Sequence, residues 1–174
     1  MNKCEYEVLG LGMNNTGYPG AFTPPVVRAI NSVVRGKVLH LYSGSSLIGD
    51  VRVDIMHENA TINRKVEEFI KEDKRYWDWV LLDPPYALAN RREIRGWGET
   101  HSLSADVKWR TEIEQFFVAH TSNVLWFDYC APMLRGFGRR KLWFFLPGGF
   151  HIVRVLSWLE KEMADMFVGG SNER

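Results

Sequence analysis

A run of large apolar residues, Trp79-Val80-Leu81-Leu82, stops abruptly at Asp83-Pro84-Pro85-Tyr86. Four such residues in a row read as a buried strand. Proline has no N–H to give to a sheet ladder, so the strand must end where the prolines begin. A buried strand with a stiff, polar exit needs neighbours on both sides, and the carboxyl ends of such strands are where open α/β sheets bind ligands. The rest of the chain is therefore read for strands that can flank this one.

Candidates lie on both sides of it. Lys37 to Ser43 is an apolar run ending at Gly44, and Val51 to Ile55 is a second strand. The intervening GSSLIGD leaves little more than one helical turn, so the usual crossover helix is abbreviated or absent. Ala60-Thr61-Ile62 reads as a short third strand ending at Asn63, a residue equally suited to an N-cap. Residues 10–25 are rich in Gly, Asn and Pro and form a loop. Thr23 then precedes a helix with proline in its first turn, ending by Gly36. Further helices are expected over Lys65 to Arg75 and, behind Ser104, around Trp109, Ile113, Phe116 and Phe117. Val124 to Phe127 is a strand ending at Asp128, and Lys141 to Leu146 turns through Pro147-Gly148-Gly149 into Phe150 to Leu159. The expected fold is an α/β sheet, mostly parallel, with a C-terminal antiparallel hairpin at its edge. No repeat or linker divides the 174 residues, so residues 1–174 are expected to form one domain.

Composition removes several classes of function. Lys and Arg number 22 against 21 Asp and Glu, a net charge of +1, so a nucleic-acid partner would have to be met by local basic patches. Cys4 and Cys130 stand far apart with no ligand partners at short spacing, which argues against a zinc site or a disulfide framework, and no metal is expected. The N-terminus lacks a basic start followed by an apolar run, and Gly, Pro or Asn breaks each apolar window short of a membrane span. A soluble, cytoplasmic protein without a membrane partner is expected.

The Asp83-Pro84-Pro85-Tyr86 junction carries the chemistry. Two prolines fix the backbone and leave the Pro84 carbonyl as an acceptor beside the Asp83 carboxylate. An exocyclic amine offers two N–H donors to that pair, which aims its lone pair outward, while Tyr86 can stack on the ring that bears it. This junction resembles the D/N-P-P-Y/F/W motif of the S-adenosylmethionine-dependent amino-methyltransferases. The strand-turn Leu41-Tyr42-Ser43-Gly44-Ser45 is similar to that family's F-x-G cofactor loop, with Tyr42 in the aromatic place, although Ser45 or Ser46 replaces a second glycine. Asp54 stands where the family places an acid on the ribose hydroxyls, with Ile55 and Met56 behind it to cover an adenine face. Ala21-Phe22-Thr23-Pro24 resembles, more loosely, the F-x-T-P element that flanks the methionine end of the cofactor in DNA adenine enzymes.

The resemblance implies a Rossmann-like methyltransferase fold and S-adenosyl-L-methionine as cofactor. Phe22, Thr23, Pro24, Tyr42, Ser43, Gly44, Ser45, Asp54, Ile55 and Asn63 would then surround the cofactor. Asp83, Pro84, Pro85 and Tyr86 would hold and stack the acceptor base. Arg91, Arg92 and Arg95 after the motif, and Arg139, Arg140 and Lys141 before the hairpin, are candidates for phosphate contacts, or equally for solvated turns. His40 lies within a strand and reads as a packed imidazole without a role, and Trp109, Phe116 and Phe117 read as core. The expected activity is methyl transfer to adenine N6 in DNA. Its rivals are an RNA base methyltransferase acting on guanine N2 or adenine N6, and a non-catalytic cofactor- or nucleic-acid-binding subunit. A homodimer is admitted as a further partner state. With no separate target-recognition domain, Ala87 to Lys108 and the stretch near Arg139 would have to read sequence.

Overall fold

Eight strands join into one sheet in the computed structural model, which describes residues 3–18, 21–85, 107–149 and 152–162. In chain order the elements are β1 (Glu5–Gly10), α1 (Pro24–Val33), β2 (Val38–Leu41), β3 (Val51–Asp54), β4 (Ile62–Asn63) and α2 (Val66–Glu72). They continue as β5 (Trp77–Leu82), α3 (Val107–His120), β6 (Thr121–Asp128), β7 (Phe137–Leu146) and β8 (Arg154–Lys161). Across the sheet the order is β1-β7-β8-β6-β5-β2-β3-β4.

The α/β architecture and its mostly parallel sheet match the expectation. Every pairing is parallel except the two that β8 makes, with β6 and with β7. The antiparallel hairpin is not at the edge. Its second strand slots between β6 and β7, and β1 pairs in parallel with β7 to become the margin of the sheet. No strand was expected over Glu5–Gly10, because an alternation of Glu with Tyr and Val gives little apolar signal; the strand is largely exposed, as suits an edge. Asn63 is the last residue of β4 rather than an N-cap, the position before α2 being taken by Lys65.

Strict alternation along the central strands sorts side chains onto two faces. Leu39, Leu41, Val80, Leu82, Val124 and Trp126 point to one face, where α2 delivers Phe69 and Ile70 and α3 delivers Trp109, Ile113 and Phe117. Val38, Trp79, Leu81, Leu125 and Phe127 point to the other, covered by Val26, Ala29 and Ile30 of α1. The connection from β2 to β3 contains no helix, as its length predicted. It is held instead by side chains: Val38 N donates to Asp50 Oδ2 at 2.8 Å, and His40 Nδ1 meets the Ile48 carbonyl at 3.0 Å. Helix α1 follows Thr23 with prolines in its first turn, yet the Thr23 hydroxyl does not cap it. That hydroxyl donates to the Leu11 carbonyl and pins the preceding loop.

Candidate functional site

Strands β2, β3 and β4 run outward in one direction, and the chain then returns to lay β5 on the other side of β2. Where strand order reverses, the loops leaving the two central strands diverge and open a crevice at their carboxyl ends. The end of β2 and the end of β5 therefore face one another, joined by the Asp83 N–H bond to the Leu41 carbonyl at 3.3 Å. The two segments singled out for cofactor and acceptor amine are thus brought together.

At the end of β2 the chain turns sharply. Tyr42 has φ 58°, alone among the described non-glycine residues in being positive, and Gly44 follows with φ 47°. A left-handed tyrosine costs on the order of 1–3 kcal/mol unless its surroundings hold it there. They do: Trp109 Nε1 of α3 donates to the Tyr42 hydroxyl at 3.1 Å. Burial drives the Tyr42 phenol far above its ordinary range, with the charge of Glu67 adding to the effect, so it stays neutral. Tyr42 is therefore an anchor for the turn, held from the α3 face. Ser43 is buried, and its Oγ has no hydrogen-bond partner among the described residues. Ser45 is tied in through its carbonyl, which accepts from Asn59 Nδ2 at 2.9 Å.

Asp54 closes β3 and organises this corner. One carboxylate oxygen accepts the Gly44 N–H at 3.0 Å, and the other accepts the Met56 and His57 N–H groups, both at 3.0 Å. A carboxylate has about four acceptor positions, so three are committed to backbone and one remains. Next to it Ile55 and Met56 are about half exposed, an apolar surface beside a carboxylate. Asn63 sits opposite Asp54 in the β3–β4 register and gives its amide N–H to the His57 carbonyl at 3.0 Å.

At the end of β5, Pro84 is buried and Asp83 and Pro85 are half-buried. Tyr86 lies outside the described residues, as do Arg91, Arg92 and Arg95 and most of the 87–108 segment. The loop before α1 crosses the same end of the sheet. Phe22 stacks parallel on His40 with ring centroids 5.6 Å apart and meets Phe127 edge-on at 5.4 Å, so it packs into the core on the α1 face of the sheet. Thr23 is buried on the Leu11 carbonyl, and Pro24 is exposed at the first turn of α1. These three support the site rather than present polar groups to it.

Two residues at this edge carry no role in the sequence reading, Asp128 being named there only as the end of a strand. The Tyr18 ring lies against Gly44 and packs edge-on to His57 with centroids 4.8 Å apart. Its phenol is pushed up first by burial and then by the charges of Asp54 and Asp83. Nothing in a loop rich in Gly, Asn and Pro marks its single tyrosine as part of a site. Asp128 ends β6 next door, buried, with Trp126 Nε1 donating to Oδ2 at 3.1 Å and Tyr129 N to Oδ1 at 2.6 Å. Burial raises its carboxyl above the ordinary range despite those donors.

The basic stretch before the hairpin is not brought to this crevice. Through β8 and β6 the register sets Arg139 level with Val80 and Lys141 level with Leu81, in the middle of β5 and three strands away. That is roughly 14 Å sideways. Arg139 donates to the carbonyls of Ala131 and Pro132, Arg140 pairs with Glu160 at 3.0 Å, and Lys141 pairs with Glu7 at 2.9 Å over the Trp143 ring.

No family model matches the chain, and no curated protein matches it significantly. Among the described residues no group of His, Cys, Asp and Glu is placed to hold a metal ion, and no helix is long and apolar enough to cross a membrane.

Proposed function

We propose that this protein is an S-adenosylmethionine-dependent methyltransferase acting on an exocyclic amine of a nucleic-acid base, adenine N6 in DNA being the first choice. The observation that carries the reading is the meeting of the Tyr42-to-Ser45 turn, Asp54 and Asp83-Pro84-Pro85 across the strand-order reversal between β2 and β5. What the corner offers fits the cofactor. Gly44 has no side chain where the chain turns, the buried Ser43 hydroxyl has a bond still to make, and half-exposed Ile55 and Met56 offer cover for an adenine face. Asp54 keeps one acceptor position, enough for one ribose hydroxyl rather than for both in a bidentate pair.

When bound, the cofactor supplies an electrophilic methyl group on a sulfonium. The residues of the chain then act on the amine. Asp83 and the Pro84 carbonyl accept its two N–H groups and orient the lone pair, so reaction follows from positioning without a covalent intermediate on the protein. Tyr86 is assigned to stacking on the extruded base. A cysteine nucleophile has no part in this chemistry, and Cys130 reads as a bystander whose thiol is raised first by burial and then by the Asp128 charge.

Incubation with methyl-labelled S-adenosylmethionine and separate DNA and RNA pools, followed by nucleoside analysis, tests this reading. Label in N6-methyladenine from DNA is expected; label only from RNA selects the RNA enzyme, and no label from either selects a binding subunit. Asp83→Ala should abolish transfer while leaving cofactor affinity and melting temperature near those of the wild type. Near-normal turnover in that variant would remove Asp83 from the amine.

A further inference from the structure

We propose that Tyr18 is the gate of the crevice: its ring lies on Gly44 and edge-on to His57, and a ligand seated on the Gly44 turn must swing it aside. The inference rests on the cofactor reading for the identity of that ligand, but not for the gate itself. A Cβ built on Gly44 would come within 3.0 Å of Tyr18 Cε1 and 3.4 Å of its hydroxyl, so no layer of atoms fits between ring and turn. The ring is held there by its edge-on contact with His57, a residue whose own N–H is fixed by Asp54. Closing the gate and ordering the acid thus use the same corner.

The strap that carries Tyr18 is tied down by hydrogen bonds and contains one unhindered glycine. Its first end is fixed, because Leu11 N donates to Leu146 O at 2.8 Å and the Thr23 hydroxyl holds the Leu11 carbonyl. Asn14 and Thr16 bond to one another and to Tyr18, with Asn14 Nδ2 on the Tyr18 carbonyl at 2.7 Å, so residues 14–18 form a small closed unit. Gly17, immediately before the tyrosine, has φ 74° and open space where a side chain would stand. A left-handed glycine with no neighbours can change its dihedrals without pushing on anything. Lifting the ring through Gly17 displaces no side chain there and gives up the bonds that Asn14 Nδ2 and Ala21 N make to the Tyr18 carbonyl.

A steric gate and a ligand contact predict opposite signs. If the binding-competent state is only the fraction with the ring aside, removing the ring removes that penalty on apparent affinity. Tyr18→Ala should bind S-adenosylmethionine about tenfold tighter by calorimetry, with the gain in the association rate followed by tryptophan fluorescence. Tyr18→Phe keeps the ring and should stay near the wild type. Weaker or unchanged binding by Tyr18→Ala would overturn the gate. A second arm needs no ligand: hydrogen exchange of the peptide bearing Ser43 to Ser46 should quicken in Tyr18→Ala and not in Tyr18→Phe, at equal melting temperature. Unchanged exchange overturns the gate as well. If neither wild type nor variant binds S-adenosylmethionine, the cofactor reading fails, and the exchange arm still decides the gate.

Discussion

His40 shows how far a single residue can be read from sequence. Its place inside a strand marked it as a packed imidazole, and it is fully buried, stacked on Phe22, with Nδ1 on the Ile48 carbonyl and Nε2 unpartnered among the described residues. Burial lowers its pKa from 6.5 to about 4. The unfolded chain takes up a proton near pH 6.5 and the folded chain refuses it until about pH 4. The associated stability is thus complete above pH 6.5 and lost as pH falls toward 4, by about 3 kcal/mol in all. Urea titrations at several pH values should show that slope, and His40→Asn, which cannot titrate, should flatten it. Asp128 works in the opposite sense: its raised pKa favours the fold in acid and withdraws that support as pH rises through its folded value. Asp54 was legible as a strand-end acid but not as the acceptor of three backbone N–H groups, since that depends on how the 42–46 and 55–57 turns lie in space. Asp54→Ala should therefore lower both cofactor affinity and folding stability, each by about 1–3 kcal/mol, in calorimetry and in urea.

Elements were legible where their apolar period was strong. Helix α3 was marked by Trp109, Ile113, Phe116 and Phe117, and all four are buried against the sheet. Phe117 is fully buried, so Phe117→Ala should cost about 3–5 kcal/mol in urea denaturation, whereas exposed Val118→Ala, one position on, should cost little. The hairpin pattern revealed that β7 and β8 pair, but a hairpin does not say which of its strands meets the rest of the sheet. Its turn residues fix only their own geometry. The early start of β7, at Phe137, was hidden by Arg139 and Arg140, whose polarity masks a strand half exposed and irregular, with a register shift between Arg139 and Lys141.

At the scale of the molecule, the sheet sorts its charges. The acids Asp54, Asp83 and Asp128 stand at the carboxyl ends of the parallel strands β3, β5 and β6 or at their exits, while Arg139, Arg140 and Lys141 sit on the flank with partners of their own. Exposed ion pairs add little stability, but they compete with phosphates for the same cations. Replacing Arg139 and Arg140 together by Gln should therefore leave the slope of log K against log salt for DNA or RNA unchanged. A slope flatter by about one to two units would return these arginines to the nucleic-acid surface. Charge runs are visible in a sequence, but the end of the sheet they reach depends on strand direction and register.

The parallel pairing of β1 with β7 also dates the fold's completion during synthesis. Glu5 meets Lys141 and Gly10 meets Leu146, so β1 is made long before the strand it pairs with exists. At ordinary elongation rates that wait is on the order of ten seconds. Through it Tyr6 and Val8 are carried on an unpaired segment open to any other strand edge nearby, and the two glutamates that alternate with them supply like-charge repulsion between nascent copies. Nascent chains released before Leu146 should thus be the ones that aggregate.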